Sequence, residues 1–323
     1  MRTFEFSAPE TVDAAVAHGR AGATFLAGGT TLVDLMKLEV LTPQRVVDIN
    51  ALPLRGIRAE GTGIRIGALE RMADVAAHPL VRRRFPVVSQ ALLDGASQQL
   101  RNMASIGGNL LQRTRCGYFR DPASACNRRV PGSGCPAIDG SNRMHAILGT
   151  SDSCVATHPS DLAVALVALD TWVTLRAADR ERVIRLADLY RLPGDTPQAL
   201  FTLEPGELIT DVVIPGLPWA GNSAYLKIRD RQSYEFALAS AAVALRTEHG
   251  VIKDARIAVG GMGTVPWRLP KVEDALRGKP SGRPAFEAAA ERAAEGARTL
   301  ADNTFKPTLL KRTIVRALLE LEG

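Results

Sequence analysis

Residues 24–32 read Thr24-Phe25-Leu26-Ala27-Gly28-Gly29-Thr30-Thr31-Leu32, the pattern of a short strand feeding a helix through a glycine turn. A strand is expected over 24–26 and a helix over about 32–38. Two glycines let a backbone approach a ligand closely, amides exposed where the helix starts favour a diphosphate, and the threonine hydroxyls add donors. Read alone, the stretch is first of all a tight turn capped by Thr30 or Thr31. It fits neither the dinucleotide pattern G-x-G-x-x-G nor the nucleotide loop G-x-x-x-x-G-K-[ST], so nicotinamide dinucleotides and ATP are poorly supported. A second turn of the same kind, Ser105-Ile106-Gly107-Gly108-Asn109-Leu110, offers amides plus one side-chain amide. Two such turns on one fold suit a long ligand held at both ends, as a flavin dinucleotide would be.

The flanking sequence places these turns in a mixed architecture. Phe4 and Phe6 alternate as a strand, and Ser7 stands three residues before Glu10 at capping-box spacing, with Pro9 early in the helix and Gly19 at its end. A strand is expected at 46–49, a hairpin over 56–67 around Gly61-Thr62-Gly63, and helices over 71–77 and 86–96. Past the second turn, a helix over 161–169 precedes strands at 172–176, 183–186 and 208–214. Pro215-Gly216-Leu217-Pro218 then marks a domain boundary. Beyond it, strands at 224–229, 243–246 and 255–260 are followed by helices at 272–276, 285–298 and 309–322. The class is α+β; the absence of a regular βαβ series argues against a doubly wound sheet.

All four cysteines of the chain, Cys116, Cys126, Cys135 and Cys154, fall in one segment with gaps of nine, eight and eighteen residues. Two disulfides, a structural zinc or an iron–sulfur cluster are the candidates. No close C-x-x-C pair supports zinc, and residues 1–9 lack the apolar run of an export signal that would go with disulfides. A four-thiolate [4Fe–4S] site is the leading reading. Within 111–157 six arginines face three aspartates, a balance that suits an anionic cluster and equally a solvated or partner-facing loop.

The whole chain has 323 residues, a net charge of +6 and 46% hydrophobic residues, enough for two or three domains with ordinary cores. The longest apolar run, LAVALVAL at 162–169, is far too short to span a membrane. The basic residues form no reader motif for nucleic acid, and a basic subunit docking on more acidic partners fits better. Cytoplasm is the default compartment, with periplasmic export on a signal-bearing partner as the alternative.

The order A-G-G-T, S-I-G-G-N-L, then P-S-D-L-A-V-A-L-V-A-L-D resembles the FAD-binding medium subunits of the molybdenum hydroxylases. Tyr225-Leu226-Lys227, Ser233-Tyr234-Glu235-Phe236-Ala237-Leu238 and Pro266-Trp267-Arg268 are similar to that family's last domain. The resemblance implies a two-subdomain FAD-binding domain of the vanillyl-alcohol oxidase (PCMH) type over 1–217, then a smaller α+β domain over 218–323 like that of CO dehydrogenase flavoproteins. It also implies that residues 24–32 wrap the FAD diphosphate, with Ser105, Gly108 and Asn109 touching the dinucleotide. Asp161 would bind the flavin's sugar-like chain, unless it is only a helix cap in competition with Ser160. Ile209 and Lys227 would lie near the ring, where a core strand residue and a solvated lysine are the plain alternatives.

The family's usual chain runs from G-G-N almost directly into P-x-S-D-L, so 111–157 is an insertion. Its words QRTRCGYFR, CNRR and PGSGC resemble the three-subunit aldehyde oxidoreductase branch, which implies a [4Fe–4S] cluster on the four cysteines. His145 and His158 are then structural, and Tyr118 and Phe119 shield the cluster. The implied partners are a large molybdenum-cofactor subunit, a small subunit with two [2Fe–2S] centres, and an external electron acceptor. A 4-hydroxybenzoyl-CoA reductase subunit, a self-contained FAD oxidase and a zinc-binding interaction module are the competing readings.

Overall fold

The computed structural model describes residues 1–322 and builds three sheets in chain order. The first holds β1 (Glu5–Ser7), β2 (Thr24–Leu26) and β3 (Arg45–Asp48), parallel in the order β1-β3-β2. The intervening helix Val12–Arg20 is capped by Thr11, whose hydroxyl accepts from the Ala14 amide at 3.2 Å. The expected Ser7 cap does not form, because Ser7 is still paired with Val47 in the sheet. Gly19 does not end this helix either. It lies buried inside it, where a Cβ would meet the Phe25 ring.

The second sheet is antiparallel in the order β4-β5-β8-β6-β7. It comprises β4 (Ile57–Glu60), β5 (Gly63–Gly67), β6 (Trp172–Arg176), β7 (Glu181–Arg185) and β8 (Leu208–Ile214). Helices Met72–Ala77, Pro86–Asp94 and Asp161–Ala168 pack with it into one core. All eight residues of Asp161–Ala168 are buried, which is why its sequence is apolar all round and shows no amphipathic stripe.

The third sheet, β12-β11-β10-β9, is antiparallel and is covered by helices Pro270–Leu276, Arg283–Ala290 and Lys306–Leu319. Its strands are β9 (Ser223–Ile228), β10 (Ala239–Glu248), β11 (Val251–Gly260) and β12 (Trp267–Arg268). β10 and β11 run well beyond the short stretches expected from sequence. Ala239, Ala241, Val243 and Leu245 face the C-terminal helices, while Ala242 faces the core of the second sheet. Alanine carries weak strand propensity, so a strand buried on both faces is hard to read. The expected helix 285–298 ends early, as Arg283–Ala290 and a 3₁₀ turn Glu291–Ala294. Among the described residues no helix is long and apolar enough to cross a membrane.

The insertion 111–157 contains one short helix, Gly117–Arg120, and otherwise turns. Anchors on both sides replace the secondary structure it lacks. Arg120 forks onto Asp34 at 2.6 and 3.0 Å. On the other side, Asn142 exchanges hydrogen bonds with Asp302, and the Ile147 amide donates to the Met262 carbonyl at 2.8 Å. The fully buried Lys306 ammonium donates to the carbonyls of His145 (2.8 Å) and Gly261 (2.6 Å).

Burial and the nearby Arg143 push the Lys306 ammonium down to about 7, whereas an unfolded lysine keeps its proton to about 10.4. Between those values the unfolded chain holds more protons, so this group's contribution to stability grows with pH. Urea unfolding of the cofactor-free chain, compared with Lys306→Met between pH 7 and about 8.5, should show it, since thiol titration is common to both chains and cancels in the difference. The stability difference should shift in favour of the native sequence as pH rises, by at most about 1.4 kcal/mol per unit. A pH-independent difference would contradict a displaced lysine.

Candidate functional site

The two glycine turns pack on each other. A Cβ on Gly28 would collide with the Met103 carbonyl, two residues before the second turn, and Gly29 sits at φ +72°, where a side chain is strained. Ser105 caps the second turn by accepting from the Gly108 amide at 3.2 Å. Thr31 precedes the helix Leu32–Lys37 without a side-chain cap bond, so the capping role proposed for it is not the one it plays. Thr24, Phe25, Ala27, Gly28, Gly29 and Thr30, with Thr31 and Leu32, line one cavity. Leu26 alone of that stretch turns aside, packing beside Gly29. Ser105, Gly108 and Ile209 complete the same cavity.

Thr30, Thr31 and Gly108 also line a neighbouring cavity, which continues the groove to Asn109, Asp161 and Lys227. Ser160, not Asp161, caps helix Asp161–Ala168, accepting from the Ala163 amide at 2.9 Å and donating to the Asn109 side chain at 2.6 Å. The Asp161 carboxylate is thereby free. It accepts from Lys227 Nζ at 2.8 Å and from the Tyr225 hydroxyl at 2.6 Å. Lys227 is no solvated strand lysine: its side chain is 1% exposed and it also donates to the Asp94 carbonyl. Burial pushes the Asp161 carboxyl up, and Lys227 and Tyr225 pull it back. Ile209 lines the first of these cavities and Lys227 the second.

The four cysteines, separated by turns in the sequence, line one small enclosed cavity with Tyr118, Phe119 and His145. The amides of Phe119 and Tyr118 donate to the Cys116 sulfur, and those of Val155 and Ala137 to the Cys135 sulfur. Burial pushes the Cys116 thiol up to about 11 and the Cys135 thiol upward as well. No disulfide joins the four, and among the described residues no three such ligands are drawn together for a single metal ion. Sulfurs set around a cavity, with amides aimed at them, suit a cluster whose irons each take one thiolate.

The loop's arginines divide the work differently from the expectation. Among the described residues only Arg128 reaches a cysteine sulfur, donating from Nε to Cys154 at 3.1 Å. Arg115 and Arg120 are taken by Asp34, and Arg129 by the carbonyls of Tyr118, Phe119 and Asp121. His145 Nε2 stands 3.2 Å from the Cys116 sulfur, and burial holds that ring neutral, pushing it down to about 4. His158 is half-buried, set edge-on against Tyr190.

Comparison with known proteins agrees with this geometry. The family described as "FAD binding domain in molybdopterin dehydrogenase" matches residues 2–217, and "CO dehydrogenase flavoprotein C-terminal domain" matches 224–321. The chain belongs to the FAD-binding medium subunits of the molybdenum hydroxylases. It is 46% identical to the aldehyde oxidoreductase FAD-binding subunit PaoB of Escherichia coli, over 99% of this chain and 98% of that one. It is 29% identical to the carbon monoxide dehydrogenase medium chain of Hydrogenophaga pseudoflava, over 98% and 96%. The solved structure of the latter enzyme, in a form lacking the Mo-pyranopterin moiety, superposes with a TM-score of 0.77 over 98% of this chain and 96% of that one, at 26% identity. Quinoline 2-oxidoreductase of Pseudomonas putida 86, at 20% identity with 99% and 97% covered, shares the fold with the same score.

In this flavoprotein subunit two contributors escaped the sequence reading. Tyr225 was visible only as part of a motif, yet it completes the Asp161–Lys227 pair. Arg115 donates to Thr31 and Asp34, tying the first turn to the residue beside Cys116. Asp161→Ala should cost about 3–5 kcal/mol of stability in urea unfolding, because it strands a buried ammonium. Adding Lys227→Met should recover most of that loss. A single-variant cost below about 1 kcal/mol would mean water reaches Lys227.

Proposed function

We propose that this chain is the FAD- and [4Fe–4S]-bearing electron-transfer subunit of a molybdenum-dependent aldehyde oxidoreductase. The observation that carries the reading is a continuous run of cavities from the glycine turns to the thiols. The groove of Asp161 shares Arg115, Pro159 and Phe236 with a third cavity, and that cavity shares Cys116, Tyr118 and His145 with the thiol pocket. The 46% identity to an aldehyde oxidoreductase subunit supports the same branch.

Each residue set has a task under this reading. Gly28 and Gly29 admit a dinucleotide backbone close to their own, and Ile209 offers an apolar wall at that end. Asp161 and Lys227 hold fixed opposite charges along the groove without needing water to reorganise around them. Cys116, Cys126, Cys135 and Cys154 hold the cluster, while buried Phe119 and half-buried Tyr118 keep water from it. When bound, FAD takes up electrons singly or in pairs and the cluster passes them one at a time. A large molybdenum subunit would oxidise the aldehyde to a carboxylic acid. A small subunit with two [2Fe–2S] centres would deliver the electrons here, for transfer to an external acceptor.

Anaerobic purification of the assembly, with iron, sulfide and flavin assays and an EPR spectrum after dithionite, tests this. About four irons beyond those of the small subunit, with one FAD per chain, are expected. Cys126→Ser should remove the corresponding signal. Zinc or no metal would remove the cluster and keep the flavoprotein; absence of FAD would sink the reading.

A further inference from the structure

The insertion carries a residue aimed away from the thiols. Arg113 lines the cavity of the first glycine turn together with Gly28, Gly29 and Thr30. It is half-buried, and among the described residues no carboxylate or carbonyl partners it; its one charged neighbour of consequence, Arg128, repels it. The two carboxylates of that cavity are engaged elsewhere, Glu207 by Arg182 at 2.6 Å and Glu204 by Arg180. Arg115 and Arg268, half-buried as well, are paired, Arg115 with Asp34 and Arg268 with Glu273 and Asp170. A guanidinium that faces a cavity with no counter-ion of its own is a ready partner for an anion that enters there.

We propose that Arg113 is the cationic partner of the FAD diphosphate, so that the cysteine-bearing insertion also supplies a ligand to the dinucleotide. The proposal rests on the flavin reading above and adds a residue outside the glycine turns. Its consequence is a mechanical link. Thr114, next in sequence, donates to the Thr157 carbonyl and accepts from the Cys116 amide, at 3.1 and 3.2 Å. One short run thus alternates between groove and thiol pocket.

The test uses the intact assembly, stripped of flavin and titrated with FAD by fluorescence at low and high salt. Arg113→Gln should weaken FAD binding roughly ten- to hundredfold and flatten its salt dependence. Arg113→Lys should recover part of both, and iron and sulfide per chain should stay at the native level in each variant. Native-like affinity and salt dependence in Arg113→Gln would overturn the proposal. So would weakening that Arg113→Lys does not relieve at all and that comes with loss of iron, since that marks a collapsed loop. If the native assembly itself takes up no FAD, the flavin reading fails first and this inference falls with it.

Discussion

A carboxylate, an ammonium and a phenol, all out of water, fasten the two domains at the groove. Asp161 belongs to the apolar helix of the FAD-binding domain, while Lys227 and Tyr225 stand two apart on β9 of the C-terminal domain and so point to the same face. Such a triad is weak as a source of net stability, because desolvating the charges costs about what their attraction returns. It is strong as a constraint, because any displacement of one domain leaves a buried charge unmatched. The all-buried helix Asp161–Ala168 supplies the stabilisation and the triad supplies the register. The groove has one shape because both act on the same helix.

The insertion depends on that fixed frame. With a single short helix of its own, it is held internally by turn hydrogen bonds, such as Asn127 to Gly134 and Ala146 to Val155, and is placed between the domains by its anchors. Arg115 and Arg120 converge on Asp34 of the first lobe, whose carboxyl they hold below the usual range. Lys306, Asn303 and Asp302 hold its far end to the C-terminal domain. A loop braced between two domains brings distant cysteines around one cavity only if those domains do not move relative to each other.

How much of this was legible follows from where each constraint lives. The glycine turns were readable because a close backbone approach and a positive φ are demands on single residues, at Gly28 and Gly29. The helix at 161–168 and the hairpin of β4 and β5 were readable from composition and turn residues. The full length of β10 and β11 was not, because alanines buried on both faces carry no alternation. Nor was the pairing of Asp161 with Tyr225 and Lys227, since the partners lie 64 and 66 residues away and no local pattern announces them. The clustering of cysteines was plain in the sequence. The division of labour among the loop's arginines was not, because which carboxylate or carbonyl each one meets is decided by the fold.

That division carries the electrostatic argument furthest. A loop with six arginines looks in sequence like a bath of positive charge for an anionic cluster. In three dimensions Arg115 and Arg120 share the one carboxylate of Asp34, Arg143 pairs with Asp230, and Arg129 is spent on backbone carbonyls. What reaches the sulfurs directly is one guanidinium, from Arg128, together with the amides of Tyr118, Phe119, Ala137 and Val155. Amides fixed by turns cannot swing away, so under the cluster reading proposed above their dipoles would offset thiolate charge without reorganisation. The arginines act mainly by holding the turns that aim those amides, and the loop's net charge is a poor guide to the field inside it.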